Sequence, residues 1–263
     1  MKETCRNCGE LSTHEYCRTC GQKKYRRIDR KYVIEEFEYA TIHLSKGLFY
    51  SIVCLLKNPG KTAREYLNGK RVNHYKPIVM AFVLSGFVGL LYYWFIDKNK
   101  IVTETVLVNE SQPLEFKKFF NVLINFILKN YGWITLLSIP FFALISKRIL
   151  RKQPENYFEH FVLNSYIQCL FAMLSLFTFP LVLLFRNSSN VLETINIALQ
   201  YTLPLVMIWF FKTYYTKISL INIVLKVLLM LLIGIVFSLL IVLVISIILF
   251  KTGLISPERL SVS

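Results

Sequence analysis

Acidic residues are scarce in this chain. It also lacks a predicted signal peptide and a complete P-loop motif. The 263 residues include 16 Asp and Glu against 31 Lys and Arg, which gives a formal net charge of +15. The first 30 residues contain no apolar stretch of the kind a signal peptide requires, so we expect the N-terminus to stay in the cytoplasm. Gly60-Lys61-Thr62 resembles the end of a P-loop, but Leu55 stands where the opening glycine belongs, which excludes that motif.

Hydrophobicity is what the chain has in excess. Its residues are 54% hydrophobic and its mean hydropathy is +0.47, both higher than is usual for a soluble domain. After Lys76 the apolar residues form blocks close to the ~20 residues that cross a bilayer as a helix. We therefore predict an all-α membrane protein with about five transmembrane helices, interfacial amphipathic helices and a small N-terminal zinc ribbon.

The chain divides into four parts. They are a zinc ribbon (1–25), a basic juxtamembrane segment (26–76), a transmembrane bundle (77–250) and a tail (251–263). The predicted spans are 77–96, 131–146, 161–185, 194–211 and 227–250. Segments 44–56 and 116–128 are amphipathic and too short to span, so we expect them to be interfacial or re-entrant. Asp29 is expected to cap one juxtamembrane helix, and Thr62 to Glu65 has the capping-box spacing that would start another.

The distribution of basic residues predicts both the orientation and the partners. With five spans, the N-terminal side of the membrane holds 23 of the 31 Lys and Arg residues. The positive-inside rule then places the N-terminus in the cytoplasm and the C-terminus outside. Because the basic residues flank apolar spans, membrane lipid is the expected partner. No basic stretch is interleaved with stacking aromatics, so we expect no binding of nucleic acid.

Two CxxCG knuckles carry the clearest chemistry. They supply Cys5 and Cys8, then Cys17 and Cys20, each pair followed by glycine. Four thiolates form the closed tetrahedral ligand set of structural zinc and leave no position for a catalytic water. We predict one structural zinc ion. Disulfides or unliganded thiols are the alternative, and His14 is a possible substitute ligand.

Two further groups of polar residues are candidate sites. The first is a cluster of basic residues beside the first span, which either binds a lipid headgroup or, as we favour, only sets topology: Lys61, Arg64, Lys70, Arg71 and Lys76. The second is a polar seam on the third span, expected to face the bundle: Glu159, His160, Asn164 and Gln168. From the cytoplasmic edge, Glu159 can reach a basic residue such as Lys70 or Arg71 across the interface.

Several of these motifs together resemble a known family. The ribbon ends in Cys17-Arg18-Thr19-Cys20-Gly21-Gln22-Lys23, and Asn58-Pro59-Gly60-Lys61 and Tyr66-Leu67-Asn68-Gly69-Lys70-Arg71 precede a first span that opens with Pro77. This pattern resembles a bacterial family of multi-pass membrane proteins of unknown function with an N-terminal zinc ribbon. The layout is also similar, more loosely, to Yip-type five-span membrane proteins. The resemblance implies zinc and location in the bacterial cytoplasmic (inner) membrane, but no reaction.

Three functions follow as hypotheses. The first is a non-catalytic membrane adaptor or scaffold that presents the cytoplasmic ribbon to a protein partner. A small-molecule or lipid transporter would need a midplane cavity built from Asn164, Gln168, Gln200 and Tyr201. A membrane enzyme acting on lipid phosphates would need Lys70, Arg71, Glu159 and His160 to converge at the cytoplasmic interface.

Overall fold

The computed structural model describes residues 3–12, 14–34, 47–95, 123, 125–186 and 188–251. Most of this part of the chain is helical, and the ribbon contains a small antiparallel pair, β1 (Glu3–Thr4) and β2 (Leu11–Ser12). The helices are α1 (Leu48–Lys57), α2 (Pro59–Leu67), α3 (Pro77–Phe95), α4 (Tyr131–Ile149), α5 (Tyr157–Leu184), α6 (Ser189–Tyr214) and α7 (Leu220–Lys251). The all-α fold with an N-terminal cysteine cluster is therefore confirmed.

Among the described residues, four helices are long and apolar enough to cross a membrane. They are Pro77–Phe95, Tyr131–Ile149, Tyr157–Leu184 and the first part of α7, Leu220–Leu240. The predicted span 194–211 lies inside α6, which has 26 residues but is not one of these four, so a fifth span stays a prediction. Segment 44–56 contributes the ten-residue helix α1, whereas most of 116–128 lies outside the described residues.

Asn58 both ends α1 and begins α2. Its side chain accepts a hydrogen bond of 3.0 Å from the Lys61 amide, and Pro59 occupies the first helical position, where a missing N–H costs nothing. The expected helix start at Thr62 was wrong, because the Thr62 hydroxyl lies inside α2 and donates to the carbonyl of Cys54 at 3.0 Å. Gly69, with φ +105°, follows the end of α2.

The packed core lies where α3, α4 and α5 meet. Gly86 and Gly132 bring α3 and α4 together so closely that a Cβ on Gly132 would lie 3.0 Å from the Cα of Gly86. Helix α5 contributes several fully buried side chains, including Leu163 and Tyr166. The Tyr66 ring of α2 meets the Tyr166 ring edge-on at 6.0 Å, so the juxtamembrane segment is part of the same core.

Helix α2 is also fixed against the end of α6. The Gly60 amide donates to the Thr213 hydroxyl at 3.1 Å, and a Cβ at Gly60 would lie 2.2 Å from the Thr213 carbonyl carbon. The Arg64 guanidinium donates to the carbonyls of Thr213 and Tyr214, which have no further helical partner at the end of α6. The juxtamembrane segment is therefore packed onto the bundle.

Candidate metal centre and the contacts that hold it

The four predicted ligands meet at one point of the ribbon. The sulfur atoms of Cys5, Cys8, Cys17 and Cys20 all lie within 4.8 Å of one another, so this group can hold a metal ion. Both knuckles turn at a glycine in the left-handed region, Gly9 with φ +80° and Gly21 with φ +71°. The closest sulfur pairs are 3.6 Å apart, far longer than the roughly 2.0 Å of a disulfide, and all four cysteines are free. His14 lies outside the cluster, with Nε2 2.6 Å from Nη2 of Arg18.

Backbone amides near the cluster stabilise the thiolate form of its cysteines. Amide groups of Cys20 and then Thr19 lower the pKa of the Cys17 thiol to about 6. At Cys8 the Glu10 amide acts in the same direction, but desolvation and the three neighbouring sulfur atoms raise the pKa to about 12. Without a cation the cluster can therefore carry only part of its charge, since each new thiolate is repelled by the others.

The ribbon is seated on the turn that follows α2. The side-chain oxygen of Gln22 accepts hydrogen bonds from the Arg71 and Val72 amides, each 3.1 Å long. The Arg6 guanidinium lies 3.5 Å from the centre of the Tyr25 ring, and a Cβ on Gly69 would come within 2.6 Å of that ring. One face of the ribbon is thus held by the juxtamembrane segment.

The predicted headgroup residues are mostly engaged in contacts within the protein. Arg71 lies over three tyrosine rings, at 4.7 Å from Tyr32, 5.4 Å from Tyr66 and 5.5 Å from Tyr25. Lys70 pairs with Glu65 at 3.5 Å, Arg64 caps α6, and Lys76 also has a contact within the protein. Lys61 is exposed. The structure therefore does not assemble the five residues into one headgroup site.

Glu159 joins the chain that leaves the ribbon to the bundle. Its carboxylate accepts two hydrogen bonds from Arg27, of 2.7 and 2.8 Å, and only 7% of the residue is exposed. The expected contact with a basic residue of the juxtamembrane segment is made, but the partner is Arg27 and not Lys70 or Arg71. Asn156 completes a capping box with Glu159 at the start of α5 and donates to the carbonyl of Ile28 at 3.0 Å.

The other three residues of the polar seam contact two different side chains: His160 and Asn164 contact Ser146, and Gln168 contacts Tyr131. Ser146, which the sequence analysis missed, lies 3.0 Å from Nδ1 of His160 and accepts a 2.9 Å hydrogen bond from Asn164. Both residues are buried, as expected for a seam that faces the bundle. Gln168 is half-buried and interacts with the Tyr131 side chain instead.

The alternative sites are not brought together in the described part of the chain. Asn164 is buried against Ser146, whereas Tyr201 is 72% exposed, so the four residues proposed for transport do not share one cavity. Glu159 faces Arg27 and His160 faces Ser146, so the two side chains have different partners.

Comparison with known proteins finds a match for one segment of the chain. A family model described as "Protein of unknown function (DUF3667)" matches residues 46–89. No curated protein and no solved structure matches the chain. The matched segment contains α1, α2 and the first part of α3, which are the elements that receive the ribbon and pack on α5 and α6. The chain thus has several membrane-type helices and a cysteine cluster, and over this segment it is similar to a family of unknown function. Neither bacterial origin nor Yip-type likeness follows from this match.

Proposed function

We propose that this chain is a non-catalytic membrane adaptor that presents a zinc-bound ribbon to a cytoplasmic protein partner. The observation that carries this proposal is a ribbon that is fixed to the bundle and still exposes large apolar residues. One side is held by the turn after α2 through Gln22. Elsewhere the ribbon exposes two large apolar residues, Leu11 with 66% and Tyr16 with 54% exposed. Contiguous exposed apolar residues mark protein-binding surfaces, and we assign Leu11 and Tyr16 to such a surface.

Zinc is the ion that best fits the four cysteines. A compact group of four thiolates favours a tetrahedral ion with affinity for sulfur, and closed Cys₄ sites are a common form of structural zinc. The ribbon has almost no apolar core of its own, since Cys17 is its only buried apolar residue in the described range 3–25. Metal binding would then supply the folding energy, about 10–16 kcal/mol in comparable peptides.

The proposed orientation places the ribbon in the cytoplasm of a bacterium and the C-terminal tail outside its inner membrane. It is supported by the excess of Lys and Arg on the N-terminal side when α6 is counted as the fifth span. A topology reporter fused after Ser263 tests it: we expect activity only from a reporter that works outside the cytoplasm. Activity of a cytoplasm-only reporter at that site would contradict an odd number of spans.

Site-specific photo-crosslinking in cells tests the adaptor function. Benzoylphenylalanine at Tyr16 should give a discrete protein adduct, because this residue is 54% exposed. The matched control is the same probe at Tyr25, which is covered by Arg6 and should give no such adduct. A Cys17→Ser change should abolish the adduct at Tyr16 while the protein remains in the membrane. No adduct at Tyr16, or the same adduct from both positions, would contradict the proposal.

A further inference from the structure

The two cysteine knuckles of the ribbon share one backbone arrangement. In the first knuckle the Cys5 amide donates to the Glu10 carbonyl at 2.8 Å, and in the second the Cys17 amide donates to the Gln22 carbonyl at 2.8 Å. Each of these bonds closes a turn that also contains the second cysteine and the glycine of its knuckle. The position of Gln22 is therefore set by the same turn that brings Cys17 and Cys20 to the metal centre.

Each of these two turns provides one side chain that holds the turn after α2. The Gln22 side chain accepts hydrogen bonds of 3.1 Å from the Arg71 and Val72 amides, and the residue is 9% exposed. In the first knuckle, Nη1 of Arg6 donates to the Asn68 carbonyl at 3.4 Å. We call these hydrogen bonds the knuckle contacts. Because a small metal-binding module takes its shape from its metal ion, the knuckle contacts depend on metal binding.

A second set of contacts lies outside the knuckles. Arg27 donates two hydrogen bonds to the Glu159 carboxylate, and the Ile28 carbonyl accepts one from Asn156 at the start of α5. Ile28 is 1% exposed and belongs to the core of the bundle. These contacts involve no turn that a cysteine closes, so they persist when the metal is lost. The N-terminal chain is thus attached at two places, and the metal controls one of them.

We propose that the metal centre is a latch on the turn between α2 and α3. With the metal bound, Arg6 and Gln22 hold this turn against the ribbon, and when the metal is lost the knuckle contacts open. Arg27 and Ile28 then keep the chain attached to α5, so the release is local. Because the turn leads to Pro77, the first residue of a membrane-type helix, the metal state of the ribbon determines how the chain is held at that point. This inference rests on metal binding by the four cysteines and not on a protein partner.

Hydrogen exchange of the full chain in nanodiscs, followed by mass spectrometry, tests the latch. The zinc-loaded protein is compared with the same protein after treatment with a chelator. We expect the Arg71 and Val72 amides to exchange several-fold faster once zinc is removed. The Glu159 amide, which donates to the Asn156 side chain at 2.9 Å, should keep its rate. Equal acceleration at Glu159 would overturn the latch, because it would mean that the second attachment opens as well.

Native mass spectrometry of the same samples separates the latch from the metal site on which it rests. A wild-type sample that binds no zinc would overturn the metal site and the latch together. A sample that loses its zinc without faster exchange at Arg71 and Val72 would overturn the latch alone. The protein partner is tested separately, by the crosslink at Tyr16.

A charge-matched pair of variants makes the test specific. Arg6 and Arg18 each follow the first cysteine of their knuckle, but Nη2 of Arg18 lies 2.6 Å from Nε2 of His14 within the ribbon. Arg6→Gln and Arg18→Gln therefore remove the same charge beside the thiolates, and only Arg6→Gln removes a knuckle contact. Since coupling between two binding events is reciprocal, Arg6→Gln should lose zinc at a several-fold lower chelator concentration than Arg18→Gln. Gln22→Leu, which changes no charge, should lose zinc more readily than wild type for the same reason. Equal chelator sensitivity of Arg6→Gln and Arg18→Gln would overturn the proposal.

Discussion

Replacing Gly60 with alanine should separate the juxtamembrane segment from the bundle. The new methyl group would lie 2.2 Å from both the carbonyl carbon of Thr213 and the amide nitrogen of Tyr214. These are backbone atoms, so no side chain can rotate away, and α2 or the end of α6 must move. Overpacking of this kind costs about 1–3 kcal/mol and occasionally more. The hydrogen bond from the Gly60 amide to Thr213 would weaken as well, at about 0.5–1.5 kcal/mol.

The matched control is Gly86→Ala. Gly86 is also a helical glycine in a packed region, but its added methyl group would come no closer than 3.9 Å to its nearest neighbour, Gly132. Thermal unfolding of the purified protein in detergent, followed by size-exclusion chromatography, measures both variants. We expect a clearly lower melting temperature for Gly60→Ala and little change for Gly86→Ala. Equal melting temperatures for wild type and Gly60→Ala would refute the close contact between α2 and α6.

Two further predictions use the same unfolding measurement. Glu159→Gln removes the charge that pairs with Arg27 and should lower the free energy of unfolding by about 1–3 kcal/mol. The control, Arg26→Gln, breaks an exposed ion pair with Asp29 and should lower it by no more than about 1 kcal/mol. Equal losses in the two variants would contradict a specific link at Glu159. Burial lowers the pKa of His74 against the opposing effect of Glu65, so the unfolded state binds the proton more readily and stability should fall as the pH drops below about 6.5. His74→Gln should flatten this part of the pH profile, and an unchanged profile would exclude His74 as its source.

Local patterns predicted the features that depend on neighbours in sequence. The two CxxCG knuckles bring four sulfur atoms together because each knuckle needs only a short turn and a glycine. Asp29 caps the short helical segment that follows it, with a hydrogen bond of 2.8 Å from the Tyr32 amide. The start of α2 was predicted at Thr62, three residues too late, because Asn58 caps α2 and Pro59 is its first residue.

Contacts between distant parts of the chain could not be predicted in this way. Arg27 and Glu159 are 132 residues apart, and nothing in either local sequence favours this pair over Lys70 or Arg71. Arg71 carries a charge that could equally face lipid, and only packing shows that it lies over three tyrosine rings. The sequence did not predict that Ser146 contacts His160 and Asn164, since a serine near the end of an apolar helix usually faces solvent or bonds to its own helix backbone.

Metal analysis of the purified full chain tests the central claim most directly, because the adaptor proposal depends on a ribbon that a metal ion holds in shape. Native mass spectrometry of the protein, with a Cys17→Ser variant as the control, measures the identity and number of bound ions. We predict one zinc ion per chain in the wild type, bound by the four clustered cysteines, and a loss of that ion in the variant. A wild-type chain with no more zinc than the Cys17→Ser variant would contradict the account.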